Sequence, residues 1–161
     1  GRHFLLRSFF QVFMLQGALM LLISFSVIFI NLNPSRGLTL LDGIGLLIWV
    51  TGFIFESVGD LQLYRFKKNP DNKGKVMKYG LWKYTRHPNY FGESTMWWGI
   101  FVMCLSLSGG ISAIVSPVTI TFLLLRVSGI PMLEKKLIKS QPGYRWYMEK
   151  TSPFIPWFPR N

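Results

Sequence analysis

An all-α, polytopic membrane helix bundle is the fold class the sequence predicts, and three observations carry it. From Ser8 to Ser35 there are 28 consecutive residues without a formal charge, and from Ser94 to Leu125 there are 32. All the charged side chains of the 161-residue chain, 18 Lys+Arg against 7 Asp+Glu, therefore fall in the other 101 residues. An uncharged apolar run of 18 or more is the length a helix needs to cross a hydrocarbon core of roughly 30 Å. Such runs exclude a soluble globular domain.

Taken in order, the first span covers about 9–31. It is longer than the apolar stretch of a signal peptide and reads as a retained helix. The turn Asn33-Pro34-Ser35-Arg36-Gly37 ends it and returns the chain antiparallel. A second span covers about 39–64 and carries Asp42, Glu56 and Asp60, which lipid would tolerate only at a cost. Residues 65–87 hold eight Lys/Arg and one acid, with turn residues at Asn69-Pro70-Asp71-Asn72-Lys73-Gly74, and form a basic connecting loop. The 32-residue run would be about 48 Å long as one helix, too long for a single crossing. We expect Gly109-Gly110 to split it into spans of about 89–108 and 111–130, with Pro117 as a kink in the second. Residues 132–161 form a tail with short interfacial helices, whose Tyr, Trp and Phe side chains suit a membrane interface.

These four spans belong to a single membrane domain, 1–161. They put the N-terminus, the basic loop and the tail on one face and only Arg36 on the other, so 17 of the 18 basic residues share a side. The positive-inside rule makes that side cytoplasmic. The membrane is then the endoplasmic reticulum in a eukaryote or the cytoplasmic membrane in a bacterium. The chain opens on Gly1 rather than Met, and we expect a processed or truncated product that lacks N-terminal helices of a longer protein.

Composition narrows the chemistry. The one cysteine, Cys104, lies inside an apolar run, and His3 and His87 have no ligand spacing around them, so neither a disulfide framework nor a metal centre is expected. The basic face can contact anionic headgroups or the charged end of a phosphorylated small molecule. Nucleic acid is not expected, because the basic residues flank spans. Gly43-Ile44-Gly45 lacks the third glycine of a dinucleotide fingerprint and is not at a strand-to-helix turn.

Within the second span, Gly45, Gly52 and Gly59 recur every seven residues, lining one helix face with small residues that let a neighbouring helix approach. Glu56 shares that face, and Asp60 is one turn further on. Both acids are expected to point into the bundle. They either pair with Arg65 or Lys67 or accept hydrogen bonds from ribose hydroxyls or amides of a bound cofactor. The string Gly80-Leu81-Trp82-Lys83-Tyr84-Thr85-Arg86-His87-Pro88-Asn89-Tyr90-Phe91-Gly92-Glu93 is dense in hydrogen-bonding side chains just before a span. Two readings stay open for it: an interfacial helix start with aromatic anchors, or an anion-binding helix start in which Pro88 takes the first turn.

That string, together with Glu56-x-x-x-Asp60-x-Gln62-Leu63, Arg65-Phe66-Lys67, Asn72-Lys73-Gly74-Lys75, Ser128-Gly129-Ile130-Pro131-x-Leu133-Glu134-Lys135-Lys136-Leu137, Tyr144 and Phe154-Ile155-Pro156-Trp157, resembles the steroid 5-alpha-reductase C-terminal domain family in its bacterial-type branch. The resemblance covers roughly residues 10–158. It implies a helical membrane enzyme with NADPH in a cavity open to the cytoplasm, an oxidoreductase that reduces a carbon–carbon double bond in a steroid-like or other lipid enone.

Carried over by position, the resemblance assigns Glu56 and Asp60 to the adenosine and ribose side of the cofactor, and Arg65, Lys67, Lys73 and Arg126 to its phosphates. Arg86, His87, Asn89, Tyr90 and Glu93 match the motif that holds the nucleotide and nicotinamide, with Tyr90 and Glu93 as the local proton-donor candidates. Glu134 stands where steroid reductases carry an aromatic residue, still at a cofactor position, and Ile130 where they carry histidine. Isoprenylcysteine and phospholipid methyltransferases share Arg86-His87-Pro88, a glutamate like Glu134 and a Tyr-rich tail. They imply S-adenosylmethionine instead of NADPH, whereas Asn89, Glu93 and the Glu56/Asp60 pair are reductase-like. A third reading is a non-catalytic cofactor-binding half or membrane scaffold.

Overall fold

The computed structural model describes residues 2–34 and 37–160. Arg36, expected alone on the opposite face, Ser35 of the first turn and Gly1 lie outside the described residues. The architecture is all-helical, as the uncharged runs require. Helix α1 (Arg2–Ser8) continues through a π-helical turn at Phe9–Met14 into α2 (Leu15–Leu32). Then come α3 (Leu40–Lys68), α4 (Pro88–Cys104), α5 (Val115–Phe122), α6 (Ile130–Ser140) and α7 (Tyr144–Lys150).

Among the described residues three helical runs are long and apolar enough to cross a membrane: Leu6–Leu32, Leu40–Lys68 and Gly110–Ser140. The remaining expected span, α4, has 17 residues, about 26 Å at 1.5 Å per residue. The large apolar side chains of α2 and α3 face outward, Leu21 at 66% and Leu47 at 70% exposure. Outward apolar faces of this kind suit contact with lipid.

Asp42, costly in mid-membrane, sits in the first turn of α3, where its Oδ2 accepts from the Thr39 N–H at 2.7 Å and the Thr39 hydroxyl at 2.8 Å. It caps the helix, satisfying groups that would otherwise be orphaned. The uncharged run breaks near Gly109-Gly110, where the backbone turns left-handed at Gly109 (φ 74°) and a 3₁₀ segment runs over Gly110–Ile114. Pro117 follows the change from the 3₁₀ segment to α-helix. It lies in the first turn of α5, where its missing N–H has no partner to lose.

Helix α3 packs along α4, and the contact is backbone to backbone. A Cβ on Gly45 would lie 2.6 Å from the Gly99 carbonyl oxygen, and one on Gly52 2.6 Å from that of Gly92. The glycine face of α3 therefore meets a second glycine ladder on α4, Gly92 and Gly99, also seven apart. Helix α2 is locked to α5 by hydroxyls. Ser116 Oγ accepts the Ser26 N–H at 2.8 Å and donates to the Leu22 carbonyl at 3.0 Å, and Ser26 Oγ donates to the Ala113 carbonyl at 2.9 Å. With little hydrophobic drive between helices in lipid, small-residue contact and interhelical hydrogen bonds carry association. Phe101, Cys104 and Ala113 form the buried apolar cluster beside them.

Candidate functional site

The sequence-predicted residues gather into two groups that meet at the start of α4. The first lies on the α3–α4 face, where Glu56 and Asp60 come up beside Asn89, Tyr90 and Glu93. Asn89 Nδ2 donates to Asp60 Oδ1 at 3.0 Å. Asp60 is exposed and Glu56 only half-buried, so the acids edge the bundle rather than fill its interior. Among the described residues Asp60 makes no ion pair with Arg65 or Lys67; the Asn89 amide takes that place. Glu56 Oε2 and Asn89 Oδ1 are buried acceptors without a hydrogen-bond partner.

The second group surrounds a cavity of about 470 Å³ between the end of α3, the 69–77 loop, α6 and α7. Lys67, Lys68, Lys73 and Lys75 line it, with no carboxylate in the lining. Arg86, His87, Trp82 and Tyr147 close its base. Tertiary contacts place the Trp82 segment: Trp82 Nε1 donates to the Gly59 carbonyl at 3.0 Å, and Gln62 Oε1 accepts the Leu81 N–H at 3.0 Å. Gly80 passes that glutamine at φ 60°, where a Cβ would stand 2.5 Å from Oε1.

Beneath the base lies Glu134. Arg86 donates to it through Nε at 2.7 Å and through a terminal guanidinium nitrogen at 3.3 Å, and His87 Nε2 lies 3.0 Å from the same carboxylate. The other guanidinium nitrogen of Arg86 donates to the Met148 and Thr151 carbonyls at 2.8 and 2.6 Å. Arg86, His87 and Glu134 are all buried, so pairing is what makes their burial tolerable. Tyr144 reaches Glu134 at 3.5 Å, and the Tyr147 hydroxyl donates to the Trp82 carbonyl. Burial pushes both phenols well above the ordinary tyrosine range, and the Glu134 charge adds to this at Tyr144. Both stay protonated donors. Glu134 does not line the cavity itself and reaches it through Arg86, His87 and Tyr144, which do.

The His87 ring stacks on Tyr90 at 5.3 Å between centroids and 7° between planes, joining the two groups. Arg65 and Arg126 stand apart, exposed and outside the cavity lining. Lys68, Lys75, Trp82 and Tyr147 line the cavity without having been assigned a role from the sequence, although the first three lie in the 65–87 segment and Lys75 and Trp82 in its family-like motifs. Among the described residues no three His, Cys, Asp or Glu side chains gather as metal ligands.

A family model described as protein of unknown function (DUF1295) matches residues 1–151. The rat 3-oxo-5-alpha-steroid 4-dehydrogenase 1 is 26% identical over 106 residues, covering 66% of this chain and 35% of that protein. Steroid 5-alpha-reductase DET2 of Arabidopsis thaliana is 30% identical over 114 residues, 70% of this chain and 37% of that protein. A probable O-methyltransferase, ustE of Ustilaginoidea virens, is 46% identical over 46 residues, 29% of this chain and 16% of that protein. The chain spans about a third of the length of each of these two reductases. No solved structure matches.

Proposed function

Because the chain belongs to the DUF1295 family and is similar to steroid 5-alpha-reductases over part of their length, we propose that it holds NADPH in a membrane-embedded reductase acting on a carbon–carbon double bond of a steroid-like or other lipid enone. The observation that carries this reading is the lining of the 470 Å³ cavity, four lysines and no carboxylate, beside an α3–α4 edge with two unpartnered acceptors. Lysines suit phosphates, and the acceptors Glu56 Oε2 and Asn89 Oδ1 suit hydroxyl or amide donors of a nucleoside. The residues present therefore fit the cofactor.

When bound, NADPH supplies the hydride that reaches the β-carbon of the enone. The chain's own contribution is positioning. Lys67, Lys68, Lys73 and Lys75 offset the phosphate charge, and Asp60 and Asn89, already hydrogen-bonded to each other, face the sugar. Tyr90 and Glu93, beside them in the first two turns of α4, are the proton-donor candidates.

A second reading, an S-adenosylmethionine-dependent membrane methyltransferase, is favoured by the 46-residue match to the O-methyltransferase. Against it, a sulfonium cofactor brings no phosphate to a four-lysine wall. Thermal unfolding of the detergent-solubilised protein separates the two. A hundredfold excess of NADPH over its Kd is expected to raise the melting temperature by about 5 °C or more, S-adenosylmethionine should not, and Asp60→Ala should shrink the NADPH shift without lowering the ligand-free melting temperature. Stabilisation by S-adenosylmethionine alone reverses the assignment.

A further inference from the structure

Beside the first cavity lies a second, about 500 Å³, and Asn72, Gly74, Lys75 and Val76 line both. We propose that this second cavity binds the headgroup of an anionic membrane phospholipid. Its lining is amphipathic. Lys75 and Lys78 supply two cations, no carboxylate is present, and Phe66, Val76, Tyr79, Trp146 and Tyr147 supply apolar surface. Lys78 Nζ sits 5.4 Å from the centre of the Trp146 ring, which holds the ammonium in place while leaving it free to meet an anion. Tyr79 is 61% and Trp146 54% exposed, large rings of the kind that settle at the membrane–water boundary.

Position selects lipid over a soluble anion. One wall, Phe66, belongs to the last turn of α3, the turn that also carries Arg65, Lys67 and Lys68. The span therefore delivers the cavity to headgroup level. Residues 73–79 follow within a few residues, turned by Gly74 at φ 78°, and the opposite wall is turned by Gly143 at φ 86°. A small anion at exposed lysines gains little against water. A lipid adds apolar contact of its glycerol and upper chains with the aromatic walls, and the bilayer presents it at high local concentration.

The inference is independent of the cofactor reading and has its own readout. Native mass spectrometry of the solubilised full chain, offered phosphatidylglycerol or phosphatidylcholine, should show phosphatidylglycerol retained at least about tenfold better. Lys78→Ala and Trp146→Leu alter residues that are both exposed and line only this cavity; the first should lower that retention about fivefold, the size of one cation–headgroup interaction, and the second should lower it as well by removing the ring that holds the ammonium. Lys78→Arg should restore it. A Lys135→Ala/Lys136→Ala pair on α6, outside the cavity, should leave retention unchanged. Equal retention of the two lipids, or an equal loss in the α6 pair, overturns the proposal in favour of a diffuse basic field. Displacement of phosphatidylglycerol by millimolar inorganic phosphate or by NADPH overturns it too, making the cavity a soluble-anion or cofactor subsite. NADPH stabilisation is measured separately, so either result stands without the other.

Discussion

Glu134 shows most clearly what a single residue decides here. Its carboxylate takes Arg86 and His87 from 48 and 47 residues away, and with them holds the base of the cavity. Arg86 and Glu134 side chains are only 8% and 11% exposed. At such sites, removing one partner costs about 3–5 kcal/mol because the other is left charged and buried, whereas replacing the pair with apolar residues is often neutral. Glu134→Ala should therefore lower the melting temperature sharply, and Glu134→Gln, which keeps an acceptor for Arg86 and leaves its bonds to the Met148 and Thr151 carbonyls in place, should lose less. Equal destabilisation by the two variants would show that the charge on Glu134, rather than an acceptor at that position, is what Arg86 needs. In the sequence Glu134 was visible as a departure from an aromatic position; that it answers Arg86 was not, because nothing local to either residue encodes a partner so distant.

The α3–α4 pair is the element whose packing was most legible. A seven-residue glycine repeat marks a helix face whatever lies opposite, and the structure brings that face against Gly92 and Gly99. What could not be read was the partner, since any helix with small residues at the same interval would serve. The close approach separates two substitutions of the same chemistry. At Gly52 a Cβ would stand 2.6 Å from the Gly92 carbonyl oxygen and 2.7 Å from the Met96 nitrogen, while at Gly43 nothing lies within 4 Å. Gly52→Ala should destabilise by about 1–3 kcal/mol through overpacking. Gly43→Ala should be neutral or stabilise by up to about 1 kcal/mol through helix propensity. Paired thermal denaturation curves check both, and equal effects would dismiss the backbone-contact account.

At the scale of the whole molecule, the C-terminal segment ties the site to the bundle. The Ser152 carbonyl accepts the Arg86 N–H at 2.9 Å, the Phe154 carbonyl accepts from the Thr85 hydroxyl at 2.8 Å, and the Tyr84 carbonyl accepts the Trp157 N–H at 2.9 Å. These bonds run along the 84–86 segment that forms the cavity base. Ending the chain after Lys150 should leave membrane insertion intact and abolish stabilisation by NADPH, read by flotation with membranes and by thermal shift. Retained stabilisation would show that the segment only covers the surface. The uneven charge of the sequence determined the helical class and the crowding of cations beside the ends of the spans, since lipid tolerates neither open backbone nor stray charge. Only the tertiary structure decided which cations face a cavity, which acid supports them and which glycine ladder meets which. Those choices depend on contacts between residues far apart in the chain, and local composition carries no record of them.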